Sequence, residues 1–360
     1  MFHRCAPRLL SKHHTRTKTI ISFRGSCQKM DENARFLAST FEHDGVCYSK
    51  DTNRSMIERP DIVNCREDDV FVASYPKSGT TWTIEMVSLV MNGGNVEINT
   101  AGHQQERHPM LEAEFKFPLW VCLAVHLLVL LKPILPYAIM ELSFIKMLLV
   151  LQEIAFESGD GLKQMEKIKP PRLLKSHLPY HAFPSQAIRK KCKIVYVARN
   201  PKDTGVSFLH HVSMGRAPMD YKGSWNDFYK LYVNDKVWYG SWFDHVLTWW
   251  QHRNDENILF LKYEDMKKDP RGAVKSIADF LDVSLTEDTI DNIVEFCSFK
   301  KMKENKAVNF SLLAGDSLKH EFVRKGEVGD WMNFFTVAQN KEYEKIYEER
   351  MKGSGLDFEW

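Results

Sequence analysis

The sequence predicts an α/β fold: a doubly wound, mostly parallel sheet flanked by helices, in a single domain with a P-loop-like cradle for a phosphate-type group. Three observations carry that expectation. Short apolar or β-branched runs recur at Val70–Ser74, Lys193–Ala198 and Asn257–Lys262, as expected for strands buried on both faces. Each run is followed by a helical pattern, over Thr83–Met91, Pro201–Met214 and Pro270–Leu281. Between the first strand and its helix stands Tyr75-Pro76-Lys77-Ser78-Gly79-Thr80-Thr81-Trp82, with small hydroxyls, one glycine and one lysine.

The first 30 residues stand apart. They carry Arg4, Arg8, Lys12, Arg16, Lys18, Arg24 and Lys29, with no acid before Asp31. This composition suits a mitochondrial transit peptide and equally a basic tail with Met30 as a second start; it lacks the continuous apolar run of a secretory signal. The domain proper is expected over residues 31–360.

The run at residues 75–82 follows a strand and opens a helix, so it gathers backbone N–H groups and hydroxyls around an anion at a helix N-terminus. Gly79 lets the backbone approach that anion, and Lys77 adds a full charge. The nucleotide P-loop, G-x-x-x-x-G-K-[ST], does not fit: no glycine stands five residues before Gly79, and the lysine precedes it. Alone, the run would suit an ordinary strand–turn–helix with a solvated lysine as well as a binding loop. Segments further along decide between them.

Pro118–Leu131 is apolar apart from His126, and after Lys132-Pro133 a second apolar run, interrupted by Glu141 and Lys146, reaches Leu151. The first run is too short to span a bilayer and the second carries two charges, so no transmembrane span is predicted. A helical hairpin on the core or over the active site, a membrane-surface or oligomer contact, and a gene-prediction artefact all remain open. Pro171–Pro179 is a short strand-like run containing Lys175 and His177. Arg199-Asn200-Pro201-Lys202-Asp203-Thr204-Gly205-Val206-Ser207 leaves the second strand, and Arg199 and Ser207, two turns apart at a helix start, suit another phosphate. Lys236–Arg253 reads as an aromatic-rich helix with Trp238, Trp242, Trp249 and Trp250, and Tyr263-Glu264-Asp265-Met266 ends the third strand. Phe322–Trp331 is a basic, glycine-bearing loop. In such sheets ligands bind at the carboxyl ends of the strands, where the cradle and Arg199 both fall.

Composition narrows the class. Of 360 residues, 44% are hydrophobic and 27% charged, which is globular; the net charge of +2 excludes a basic field of the kind that binds nucleic acid. The seven cysteines are scattered without a C-x-x-C pair, which suggests reduced thiols in an intracellular compartment. No Cys/His cluster has zinc spacing, so no structural metal is expected. Cytoplasmic residence follows, with mitochondria the alternative if residues 1–30 act as a transit peptide.

Tyr-Pro-Lys-Ser-Gly-Thr-Thr-Trp, Arg-Asn-Pro-Lys-Asp and Arg-Lys-Gly…Gly-Asp-Trp occur together and in order, and from about Asp69 to Thr336 the chain resembles the cytosolic sulfotransferase family. The resemblance implies a kinase-like α/β fold and transfer of a sulfuryl group from 3′-phosphoadenosine-5′-phosphosulfate (PAPS) to a hydroxyl or amine of a small molecule such as a phenol, steroid or other alcohol. It implies that Lys77, Ser78, Gly79, Thr80 and Thr81 cradle the 5′-phosphosulfate and that Trp82 stacks on adenine. Arg199 and Ser207 would bind the 3′-phosphate with Arg324, Lys325 and Gly326, while Tyr263, Ser298 and Phe299 surround the adenine. Ser298 falls where relatives often carry threonine. His177 matches the catalytic base; Lys77, Lys175 and Ser207 complete the expected catalytic set.

The chemistry fits those implied roles. An acceptor hydroxyl must lose its proton as the S–O bond forms, a role suited to a neutral histidine. Lys77 would neutralise the leaving bisphosphate, and Lys175 would help at the sulfate oxygens. No metal is expected, since amides, lysines and arginines hold the nucleotide. Two features depart from the family. Its dimer motif, Lys-x-x-x-Thr-Val-x-x-x-Glu, keeps Thr336-Val337 but has Met332 and Lys341 at the charged positions, so that dimer is expected to be weak or absent. The Pro118–Leu151 insertion stands in a region that helps form the acceptor pocket. It leaves the acceptor open and makes peripheral membrane contact an alternative. Three rival functions have less support. An ATP- or GTP-using phosphotransferase is opposed by the missing P-loop glycine and the Arg199/Ser207 pair. A sulfotransferase-derived binding protein is opposed by the retained His177 and Lys77. A Golgi glycan sulfotransferase needs a membrane anchor that the basic, polar residues 1–30 do not supply.

Overall fold

Side chains along the central strands alternate between two apolar layers, which is why the strands read as unbroken hydrophobic runs. The computed structural model describes residues 31–100, 102–114, 160–215, 220–308 and 322–360. A short hairpin follows the helix Glu32–Ala38, β1 (Thr40–His43) against β2 (Val46–Ser49), turning at Asp44-Gly45 with both φ positive (48° and 76°), as a two-residue hairpin turn requires. Among the described residues the main sheet has four parallel strands, β3 (Val70–Ala73), β4 (Leu173–Ser176), β5 (Lys193–Ala198) and β6 (Ile258–Lys262), in the order β4-β3-β5-β6. Val70, Val72, Leu173, Val195 and Val197 pack with the helices Thr80–Met91, Pro270–Phe280 and Glu287–Phe296. Phe71, Ala73, Leu174, Ile194 and Tyr196 pack on the opposite face with Pro201–Val212, Trp225–Val233, Trp242–Gln251 and Val337–Met351. Helices thus cover both faces of one parallel sheet, as the sequence predicts, and residues 32–360 form one compact unit.

The register of β3 and β4 is stapled at its start. Asp69 and Arg172, each the residue before its strand, are buried and meet through two charge-assisted hydrogen bonds, Nε to Oδ1 at 2.6 Å and Nη2 to Oδ2 at 2.5 Å. Val70 N–H donates to the Arg172 carbonyl beside them. Val70 then pairs with Leu173 and Ala73 with Ser176, so Ser74 and His177 leave the ladder side by side at the carboxyl edge.

Several element limits differ from the sequence expectation. β3 ends at Ala73, and its helix starts at Thr80 instead of Thr83, so the last hydroxyls of the cradle belong to the first helical turn. The Lys236–Arg253 helix forms only over Trp242–Gln251. Tyr239 and Gly240 both take φ 67°, and the Ser241 hydroxyl caps the helix by accepting from Asp244 N–H at 3.2 Å. Tyr263 opens the helix Tyr263–Lys268 rather than ending a strand. Within Pro171–Pro179 only Leu173–Ser176 is strand. The helices after β5 and β6 stop at Val212 and Phe280, two residues and one residue short of the expected ends. Residues 1–30 and the Pro118–Leu151 insertion lie outside the described residues.

Candidate active site

The cradle is a tight turn that only a few residue types can form. Lys77 and Gly79 have φ of 69° and 105°. Ser78 N–H donates to the Tyr75 carbonyl, and the Gly79 carbonyl accepts from Trp82 and Thr83 N–H, which starts the helix. A Cβ at Gly79 would sit 2.7 Å from Tyr263 Cδ2, so glycine is required there both by φ and by space. The Ser74 and Thr80 hydroxyls are 2.5 Å apart. The Ser78 hydroxyl is buried and has no hydrogen-bond partner among the described residues, an orphan that an anion in the loop would satisfy.

Positive charge converges on this loop. Lys77 is half-buried, with Nζ 4.1 Å over the Phe322 ring. Burial, then Arg199 and Arg324, push its amine down to about 7. Arg199 is buried, stacks 4.6 Å over the Tyr263 ring and donates Nη2 to the Glu327 carbonyl at 2.7 Å; its Nε has no partner among the described residues. Asp203, 3.5 Å from Arg199, accepts Gly329 N–H at 2.8 Å and Trp331 N–H at 2.9 Å, tying the late basic loop to the helix Pro201–Val212. Arg324 and Lys325 both pair with Asp330. Burial alone would raise the Asp330 carboxyl, but hydrogen bonds from Lys325, Asn333 and Arg324 bring it down to about 2.

Around the expected adenine position, Trp82 meets Tyr263 edge-on at 5.5 Å and donates Nε1–H to the Cys297 carbonyl at 2.8 Å. Phe299 packs against Gly326, where a Cβ would lie 2.4 Å from its ring. The Ser298 hydroxyl also caps the helix Phe299–Glu304, accepting Lys301 N–H at 3.5 Å. Ser207 is half-buried on its helix, two turns after Arg199. The structure therefore brings Lys77, Gly79, Trp82, Arg199 and Tyr263 into one cluster. Arg324 and Lys325 reach it from the late loop, with Asp330 as their counter-ion.

His177 is held by four neighbours, Ser74, Tyr239, Glu112 and His245. Its Nδ1 is 2.9 Å from the Ser74 carbonyl, which can only accept, so Nδ1 carries the proton and Nε2 keeps its lone pair. Its ring meets Tyr239 edge-on at 5.5 Å. Its backbone N–H donates to Glu112 Oε1 at 2.6 Å, which also accepts the Tyr239 hydroxyl at 3.1 Å. His245 donates Nε2–H to the His177 carbonyl and accepts from the Tyr196 hydroxyl, each at 2.9 Å. Burial, outweighing the Ser74 hydrogen bond, and then Lys175 and Lys77 hold the His177 imidazole down at about 4. Lys175 is buried; desolvation lowers its amine to about 8 against the pull of Glu85 and Glu112. Glu85, on the cradle helix, accepts from Asn99, Gln104 and Arg107 at 2.6, 2.7 and 3.0 Å.

Sequence reasoning missed Glu112, Tyr239, Asp203 and Glu85. Asp203 sits in a quoted motif, and Asn200 three residues earlier is a readable helix cap for it. The others are acids and a tyrosine buried by tertiary packing, which no local spacing announces. Among the described residues no group of His, Cys, Asp and Glu is arranged to hold a metal ion, and no helix is long and apolar enough to cross a membrane. The described cysteines Cys47, Cys65, Cys192 and Cys297 are free and buried.

Comparison with known proteins matches residues 67–355 to the sulfotransferase domain. The chain is 36% identical over 319 residues to sulfotransferase 1B1 of Canis lupus familiaris, covering 87% of this chain and 92% of that protein. Two crystal structures of retinol dehydratase, one with androsterone and the inactive cofactor PAP and one with retinol and PAP, superpose with a TM-score of 0.74. They are 27% and 28% identical and cover 91% of this chain and 96% of theirs.

Proposed function

We propose a function from one premise: the chain belongs to the sulfotransferase family. It is a transferase of sulfuryl groups. The donor we infer is PAPS, and the acceptor a hydroxyl (or amine) of a small molecule such as a phenol, steroid or other alcohol. The observation that carries the reading is the pairing of a histidine whose Nε2 lone pair is free with a cradle of cations and orphaned donors beside it at the sheet edge. Ser78 Oγ and Arg199 Nε are buried polar atoms lacking partners among the described residues, and Lys77 is destabilised as a cation. All three features are relieved by phosphate oxygens, so the residues fit the nucleotide.

PAPS supplies the sulfuryl group, and its bisphosphate is the leaving group. Lys77 and the N–H groups of the cradle neutralise charge at the bridging oxygen. Lys175 steadies the sulfate oxygens. Arg199, Ser207, Arg324 and Lys325 would hold the 3′-phosphate, and a bidentate guanidinium contact would distinguish a phosphate from a ribose hydroxyl. His177 Nε2 takes the acceptor proton while Nδ1–H stays on the Ser74 carbonyl, which keeps the ring in the tautomer the step needs. The test is transfer of labelled sulfuryl from PAPS to phenols, steroids and alcohols. Failure to bind PAPS, or turnover of ATP in its place, overturns the reading.

Two further outcomes follow. At about pH 7.5, binding of PAP should take up protons, because anions raise the amine that burial and neighbouring cations hold near 7. Calorimetry in buffers of different ionisation enthalpy measures the uptake, and Lys77→Met should remove most of it. Gly79→Ala should weaken PAP binding by tenfold or more, on the order of 1–3 kcal/mol for a strained φ alone, before the Tyr263 clash is counted. Unchanged affinity in that variant would mean that the loop relaxes freely.

For the remaining assignments, we infer a cytoplasmic enzyme in which residues 31–360 form the catalytic domain. Met332 and Val337 are 66% and 75% exposed, and without the Lys–Glu charges we expect no stable dimer through them. Sedimentation at micromolar concentration tests that expectation.

A further inference from the structure

His211 is a half-buried titratable group that the mechanism above does not use. It lies one turn after Ser207 on the helix Pro201–Val212, on the same face. Its ring meets Phe322 edge-on at 6.1 Å and 67°, and the face of that same Phe322 carries the Lys77 ammonium at 4.1 Å. His211 is therefore beside the transfer centre. Its Nδ1 is sealed from solvent and has no hydrogen-bond partner among the described residues, whereas the residue as a whole is only half-buried and Nε2 is not sealed in the same way. The open atom is Nε2.

The state of the ring follows from this placement. A sealed N–H without a partner is rarer and costlier than a sealed lone pair, so the proton sits on Nε2. Burial and then the charges of Lys77 and His177 hold His211 neutral, well below the ordinary histidine value. Two neutral imidazoles with opposite polarity thus lie near Lys77: His177 presents a lone pair at Nε2, and His211 presents an N–H at Nε2.

We propose that His211 is a specificity-determining residue, donating Nε2–H to a hydrogen-bond-accepting oxygen that the acceptor molecule carries besides its reacting hydroxyl. The class of acceptor is then a hydroxylated apolar molecule with a second oxygen of ketone, ether or carboxylate type. This rests on the sulfotransferase reading for the identity of the reacting group, but the contact itself needs no turnover.

Matched pairs test it: phenols and sterols with a hydroxyl, each with and without a ketone oxygen, titrated into the protein–PAP complex and also assayed with PAPS. In wild type at least one scaffold should bind its ketone member about tenfold tighter, as one hydrogen bond to a desolvated donor allows. His211→Phe should erase that ratio, and His211→Gln, which keeps a donor, should retain part of it. Equal ratios in wild type and His211→Phe overturn the proposal, as does the absence of any ketone preference in wild type. A ketone preference in binding with no sulfuryl transfer would leave this contact standing and sink the catalytic reading alone.

Discussion

Replacing His177 with alanine should lower kcat by about 10²–10⁴-fold while leaving PAP affinity within a few-fold of wild type. The split is the informative part. His177 Nδ1 meets the cradle's edge at Ser74, at the carbonyl (2.9 Å) and more loosely at the hydroxyl (3.4 Å), and its own N–H to Glu112 survives the substitution because it belongs to the backbone. The nucleotide loop therefore keeps its geometry, and only the proton acceptor is lost. A pH profile adds a second check. With the imidazole held near 4, the base form is fully present above about pH 5, so kcat/KM for the donor should show no acid limb at the ordinary histidine value. Its upper limb should instead fall near pH 7, where Lys77 loses its proton. A variant that loses PAP binding along with turnover would make His177 a structural residue, and an acid limb near 6.5 would place its ring in water.

Asp69→Ala should cost about 3–5 kcal/mol of stability, because it strands the buried Arg172 guanidinium without its carboxylate. The Arg172 side chain would keep only the Asn64 carbonyl at 3.0 Å and a longer contact to the Met165 carbonyl. Denaturant unfolding measures the loss, and a change below about 1 kcal/mol would show that water reaches the site. Removing both charges, as in Asp69→Leu with Arg172→Met, should recover much of the loss, since an apolar pair of similar volume avoids the desolvation penalty. The same substitution touches catalysis. The pair sets the β3–β4 register that puts Ser74 beside His177, so Asp69→Ala should also lower kcat below what partial unfolding explains.

The fold was legible in the sequence wherever one physical rule dominated. Val70–Ala73 and Lys193–Ala198 are buried on both faces, and unbroken apolar runs are the mark of such strands. Gly79 was legible because its positive φ and its contact with Tyr263 admit no other residue. His177 entered by resemblance alone: nothing local separates it from a core histidine until the register of β4 brings it to Ser74. Lys236–Tyr239 resembles helix in sequence because its aromatic pattern reflects packing under Phe36 and Tyr48, a tertiary fact. Glu112 and Glu85 were invisible for the same reason, since a buried carboxylate is specified by partners distant in sequence. In Arg324 and Lys325 the basic character was readable, but the pairing of both with Asp330 was not, although that counter-ion lies within the same loop.

The strand order has a kinetic consequence. β3 is the first strand of the main sheet to be made, and it ends in the middle, between β4 and β5. Its staple to β4 joins residues 103 apart. At roughly 5–20 residues per second, a ribosome delivers β4 about 5–20 s after β3. During that interval a run of Val-Phe-Val-Ala has two bare edges and no partner, and loop closure must be completed before the pairing can repay it. The catalytic centre is consequently a late product of folding, and slower synthesis at low temperature or an added chaperone should raise the yield of active enzyme more than added nucleotide does.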